Sequence, residues 1–149
     1  MTLSEFPILL QQDNVDCGPT CLRMICHYFG RNFSVRFLRE LSNKRPNGVS
    51  LFDLNEAAKE LGLKTLGVKL DIVKVKQAEL PCIIHWRQNH FVVLHKIQNG
   101  KFYIADPARG LLTVEENGFF SKWLAGDGAE IGYVLLIKPT VKFYKVIEK

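Results

Sequence analysis

The apolar residues of this chain change their period at Gly62. Before it they recur at helical spacing. Leu22, Ile25 and Phe29 follow Cys17, and Leu51, Leu54, Ala58 and Leu61 form one stripe. After it they alternate or run continuously in short β-branched stretches, Leu80–Trp86 and Phe91–Ile97 being the strongest. Helices first and an antiparallel sheet second make an α+β fold. At 149 residues the chain suits one compact domain, large enough to bury a core without disulfide or metal staples.

The local signals refine this reading. A helix is expected from about Cys17 to Phe29, closed by Gly30, and a short one over Val35–Leu41. A third starts at Ser50, with Asp53 three residues on as its capping-box partner, and stops at Gly62. Strands follow over Leu63–Leu70, Leu80–Trp86, Phe91–Ile97, Lys101–Ala105 and Gly132–Lys138. Asn99-Gly100 marks a tight hairpin, Asp106-Pro107 opens a loop, and Glu115–Leu124 forms a short helix. The expected domain spans 1–138. Residues 139–149 show no core role and read as a C-terminal tail, a linker that continues into something else.

Composition narrows the function. The net charge of +5 comes from scattered Lys and Arg residues, with no basic block and no aromatic-interleaved motif, so nucleic acid is not an expected partner. No apolar run approaches the ~20 residues that span a bilayer, and the start lacks a signal-peptide pattern. Cys17, Cys21, Cys26 and Cys82 are not spaced as a secreted disulfide framework and read as free thiols. Cys17 and Cys21 share a helix face, but no Cys-x-x-Cys pair accompanies them, so no metal is expected.

Four places carry chemistry. Asp16-Cys17-Gly18-Pro19-Thr20 sets Cys17 at a helix N-terminus, where the dipole stabilises a thiolate. Asp16 is the expected cap, and Gly18 leaves room for a substrate backbone. His90 opens a strong strand after the turn-like Arg87-Gln88-Asn89. His85 and His95 are further candidates, but His95 has the opposite parity to His90 along the strand, and His27 lies mid-helix. Asp106, before Pro107 and Ala108, can orient an imidazole. Gln11, six residues before Cys17, can donate to a developing oxyanion.

Together Gln11, Asp16-Cys17-Gly18-Pro19-Thr20-Cys21-Leu22, His90-Phe91-Val92-Val93-Leu94 and Asp106-Pro107-Ala108 resemble the double-glycine leader peptidases. These are the papain-like cysteine peptidase domains at the N-terminus of bacterial ABC exporters for bacteriocins. The resemblance runs from about Phe6 to Lys138. It implies a papain-like fold, Cys17 as nucleophile, His90 as base and acid, Asp106 as orienter and Gln11 as oxyanion donor. It implies cleavage of precursor peptides after a Gly-Gly pair on the cytoplasmic side of the membrane. Export would follow through transmembrane and ATPase portions. No cofactor is implied for the peptidase itself, ATP entering only through a separate nucleotide-binding domain. The alternative is a catalytically silent docking domain, since some related exporter domains lack the nucleophile.

Strand register decides whether Asp106 can serve. A two-residue loop at Asn99-Gly100 pairs Gln98 with Lys101 and sets Asp106 opposite Val93, on the face away from His90. A three-residue loop, Gln98-Asn99-Gly100 with Gly100 left-handed, pairs Ile97 with Lys101 and sets Asp106 opposite Val92, a diagonal step from His90. The triad therefore requires the second hairpin or an equivalent bulge.

Overall fold

The computed structural model describes residues 6–42, 48–87, 90–123 and 130–148. Three helices come first: α1 (Cys17–Tyr28), α2 (Val35–Leu41) and α3 (Leu51–Glu60). Their ends follow the sequence signals. The Ser34 hydroxyl accepts from the Phe37 N–H at 3.1 Å and starts α2. Ser50 and Asp53 form the reciprocal capping box of α3, with bonds of 3.0 and 3.1 Å. Gly30 closes α1 in the left-handed region.

The rest is sheet with two further helices. β1 (Leu63–Asp71) leads into α4 (Ile72–Gln77). Then come β2 (Cys82–Trp86), β3 (His90–Gln98), β4 (Lys101–Asp106), β5 (Gly110–Glu115), α5 (Glu116–Trp123) and β6 (Ile131–Pro139), and a 3-10 turn over Lys142–Tyr144. The strands form one antiparallel sheet in the order β1-β6-β2-β3-β4-β5. Period-two alternation splits its side chains between two cores. Ile83, Val93, Ala105 and Leu135 pack against α1, α2 and α3. Ile84, Val92, Leu94, Ile104 and Val134 pack against Val75 of α4 and Phe119 and Trp123 of α5. The expected α+β arrangement, helices on an antiparallel sheet, is what is found, with a second helical layer behind the sheet.

The sequence reading assigns no element to Ile72–Gln77 and opens a loop after Asp106, and the structure differs at both places. Ile72-Val-Lys-Val-Lys-Gln alternates like a strand but is helical, because the Asp71 carboxylate caps it by accepting from the Lys74 N–H at 2.9 Å. The loop expected after Asp106 is only a tight turn. The Arg109 N–H donates to the Asp106 carbonyl at 3.1 Å, Gly110 takes a left-handed φ of 104°, and β5 returns along β4. Gln88, Asn89 and Leu124, which the sequence reading placed in a turn and at a helix end, lie outside the described residues.

The tail was expected to have no core role, and this is corrected. Pro139 belongs to β6, and Phe143 is fully buried in the α1–α3 core. Arg31 donates to the carbonyls of Phe143 and Val146 at 2.7 and 2.6 Å, and Ser34 Oγ donates to Glu148 at 2.5 Å. The tail crosses α3 where Gly62 sits; a Cβ there would come within 2.4 Å of the Phe143 nitrogen. Gly62 therefore both ends α3 and leaves room for the crossing.

The hairpin is corrected in form but not in effect. Gln98 pairs with Lys101, so the loop has two residues, with Asn99 and Gly100 both left-handed at φ 54° and 74°. A bulge at His95 then absorbs one residue: Leu94 pairs with Ile104 while Lys96 pairs with Tyr103. Val93 consequently faces Ala105, and the register that sets Asp106 against Val92 is recovered.

Candidate active site

The N-terminus of α1 meets the ends of β3 and β4. Cys17 is the first residue of α1, buried at 8% exposure, with Pro19 in the first turn, where its missing N–H is not needed. His90 is the first residue of β3 and Asp106 the last of β4. Strict alternation would turn both toward α4 and α5. Both lie past the last β3–β4 pair, Val93 with Ala105, and there they meet the α1 terminus.

The His90 ring donates from Nε2 to Asp106 Oδ1 at 2.6 Å. The same oxygen accepts from the Ala108 N–H at 2.8 Å, which holds the carboxylate in place. With Nε2 committed to Asp106, Nδ1 is the nitrogen left for Cys17, which lies close enough to the ring to act on its charge. Burial pulls the imidazole pKa down. The hydrogen bonds to Asp106 and Cys17 and the charges of both outweigh it and raise the value from 6.5 to about 9. Burial pushes the Asp106 carboxyl up, but the His90 and Ala108 hydrogen bonds and the charges of His90 and Arg109 hold it below the usual carboxylate range. The arrangement is a cysteine, an imidazole whose charged form is favoured and a carboxylate in series.

Other expectations resolve as follows. Gln11 is tied to the turn after Asp106, its backbone N–H donating to the Pro107 carbonyl at 2.8 Å. Its side-chain Nε2 donates to the Asp13 carbonyl at 2.9 Å, and its Oε1 is buried and unpaired. Asp16 makes no side-chain cap to α1; its carboxylate is taken by Arg39 of α2 instead. Gly18 turns the side where a Cβ would stand toward Val49 and α3. A Cβ there would lie 2.4 Å from Val49 Cγ2 and 3.2 Å from Leu54, so its bareness admits the α1–α3 contact. His95 stacks on Phe6 with ring centroids 4.6 Å apart, and burial together with Lys96 lowers its pKa to about 4. His85 packs by Phe91 and Tyr133, and His27 is exposed at the end of α1.

Three contacts had no sequence signal. Arg39 belongs to an ordinary amphipathic helix, and only the fold brings it to Asp16. The Ala108 N–H that fixes Asp106 depends on turn geometry. Cys21, fully buried, donates its S–H to the Phe91 carbonyl at 3.2 Å and so joins α1 to β3 beside His90. Among the described residues no group of three His, Cys, Asp or Glu side chains could hold a metal. No helix among them is long and apolar enough to cross a membrane.

The likenesses to known proteins run through both layers. The description "Peptidase C39 family" matches residues 5–142. The chain is 33% identical over 125 residues to the colicin V secretion/processing ATP-binding protein CvaB of Escherichia coli, a match covering 84% of this chain and 18% of that protein. It therefore spans about a fifth of the length of this relative. The fold superimposes with TM-score 0.83 and 29% identity on a double glycine motif protease from an AMS/PCAT transporter, solved in complex with the leader peptide. That match covers 91% of this chain and 93% of the other. It superimposes with TM-score 0.82 and 28% identity on the peptidase domain of Streptococcus ComA, a bi-functional ABC transporter, covering 91% and 100%. A match that begins at residue 5 and reaches the 3-10 turn past β6 takes in the helical layer, the whole sheet and the crossing of the tail, and on that extent the chain belongs to the Peptidase C39 family.

Proposed function

We propose that this chain is a cysteine endopeptidase that removes the leader from a precursor peptide after a Gly-Gly pair, working with the transmembrane and ATPase portions of an ABC exporter on the cytoplasmic face of a bacterial membrane. The observation that carries the reading is the His90 ring held by Asp106 at 2.6 Å with Cys17, the first residue of α1, beside it. The family membership and the likeness to a double glycine motif protease support the substrate class.

The chemistry follows from these groups. His90 takes the Cys17 proton through Nδ1, and Asp106 stabilises the imidazolium at Nε2. The thiolate attacks the carbonyl of the second glycine, and the negative charge moves to its oxygen. Gln11 is the proposed donor to that oxygen. Its Nε2 carries two hydrogens, and the bond to Asp13 uses one. As the tetrahedral adduct collapses, the imidazolium passes its proton to the leaving amine. A thioester remains between Cys17 and the leader. His90 then takes a proton from water, the hydroxide attacks the thioester carbonyl, and the proton returns to Cys17 as the leader leaves.

A glycine pair before the cut suits a narrow approach to a buried thiol. The leader itself needs an apolar surface, and amphipathic helices dock in such grooves. A depression between α3 and the β1–β6 edge, lined by Leu51, Phe52, Val68 and Tyr133, supports that part of the reading; Phe52 is 70% exposed there. ATP would enter only through the exporter's own nucleotide-binding portion.

The test is incubation with a synthetic precursor carrying a Gly-Gly leader, followed by mass spectrometry. Cleavage after the second glycine is expected, and none with Cys17→Ala. A precursor with a bulky residue in place of the second glycine should stay intact. Equal cutting of both precursors overturns the Gly-Gly specificity, and leader binding without any cutting marks a docking domain.

A further inference from the structure

A second charged pair stands at the start of α1, its carboxylate on the residue before the nucleophile. Asp16, the residue before Cys17, is fully buried. It starts a helix without capping it. Arg39 meets it from the last turn of α2. Its Nε donates to Oδ1 at 2.9 Å and to Oδ2 at 3.1 Å, and its Nη2 donates to Oδ2 as well. The guanidinium side is 28% exposed, so the pair is buried from the carboxylate side only.

This geometry bears on charge at Cys17. A negative carboxylate next to a forming thiolate disfavours it, and the partial positive charge at a helix start only partly offsets this. A planar guanidinium spanning both oxygens removes the conflict and fixes the carboxylate's orientation. Such a clamp also holds the entry into α1, because the Thr20 N–H donates to the Asp16 carbonyl at 3.0 Å.

We propose that Arg39 is a positioning residue for the nucleophile: by neutralising Asp16 it fixes the start of α1 and lets Cys17 carry negative charge. The inference rests on Cys17 being the nucleophile of the proposed function. The other groups around the thiol do not replace this role. Cys21, one turn along α1, is engaged with the Phe91 carbonyl. His90 from β3 is engaged with Asp106, beside which Arg109 adds a positive charge from the β4–β5 turn. Asp53 of α3 is engaged in its own capping box. Asp13, in the loop before α1, adds a further negative charge near Arg39.

Iodoacetamide labelling of the intact protein, read at Cys17 by mass spectrometry from pH 4 to 9, tests this without any peptide substrate. Arg39→Gln should move the half-maximal labelling pH of Cys17 up by about one unit, the effect of an adjacent uncompensated carboxylate. Arg39→Lys should stay near the wild type. Arg39→Gln combined with Asp16→Asn should return most of the way. A uniform loss of labelling rate with an unmoved midpoint would mean a merely structural role and overturn the proposal. Where Arg39→Gln does not fold, Asp16→Asn alone decides, a downward shift being expected and an unmoved midpoint overturning it. Failure of the wild type to cleave a Gly-Gly precursor would count against the peptidase reading and not against this shift between variants.

Discussion

His90 and Asp106 are joined at 2.6 Å between the first residue of β3 and the last residue of β4. The pair makes stability depend on pH with a definite sign. The folded His90 pKa of about 9 lies above its ordinary 6.5, so folding favours the protonated ring. Its contribution is fully present below pH 6.5 and is lost as pH rises through 9. Asp106→Asn removes it. Urea unfolding at pH 6 should therefore show the variant less stable than wild type by a few kcal/mol, and at pH 10 the gap should close. A gap of constant size across that window would contradict the pair.

The four thiols should separate sharply in reactivity. Burial pushes Cys26 and Cys82 up to about 12. Burial, with Cys17 and Asp106 adding to it, pushes Cys21 well above the ordinary value. At pH 7 a limiting amount of iodoacetamide should label Cys17 first, and Cys17→Ala should leave the native protein almost unlabelled with its unfolding midpoint little changed. Fast labelling of a second site would remove Cys17 from its assigned place.

Gln11→Ala should lower kcat on a Gly-Gly precursor by about a hundred- to a thousand-fold and leave KM nearly unchanged, as expected on losing an oxyanion donor. Gln12, exposed next to it, should tolerate alanine. Steady-state kinetics of the two variants decide which amide acts.

Phe143 is fully buried among α1–α3 residues, so Phe143→Ala should destabilise the domain by about 3–5 kcal/mol. Truncation after Pro139 should do at least as much, since it also removes both carbonyl partners of Arg31. A truncated chain as stable as the full one would restore the tail to the status of a simple linker.

How much of this was legible in the sequence depends on the range of the interaction. The α3 capping box and the left-handed Gly100 are local, and their residues announce them. Cys17, His90 and Asp106 stood out because each sits at an element boundary. The offset at His95 left no mark, because a bulge depends on which partner strand is opposite, not on the bulged residue. Asp16 looked like a cap because Asp caps helices; its real partner lies 23 residues away on α2. Gly18 looked like room for substrate, and the chain fills that room with Val49. The tail looked idle because Val141, Phe143, Tyr144, Val146 and Ile147 follow no single period, and only Phe143 of these is fully buried.

The β3–β4 hairpin carries both His90 and Asp106, whereas Cys17 rides on a helix more than seventy residues earlier in the chain. On the proposed function the molecule is a two-key lock. One key is cut early in synthesis and the other late, and neither turns alone. A growing chain that has released its thiol has no base to arm it, so newly made neighbours are safe until the sheet closes. The same split works in reverse under mild stress: a slight parting of the helical layer from the sheet would disarm the protein while both halves kept their internal hydrogen bonds.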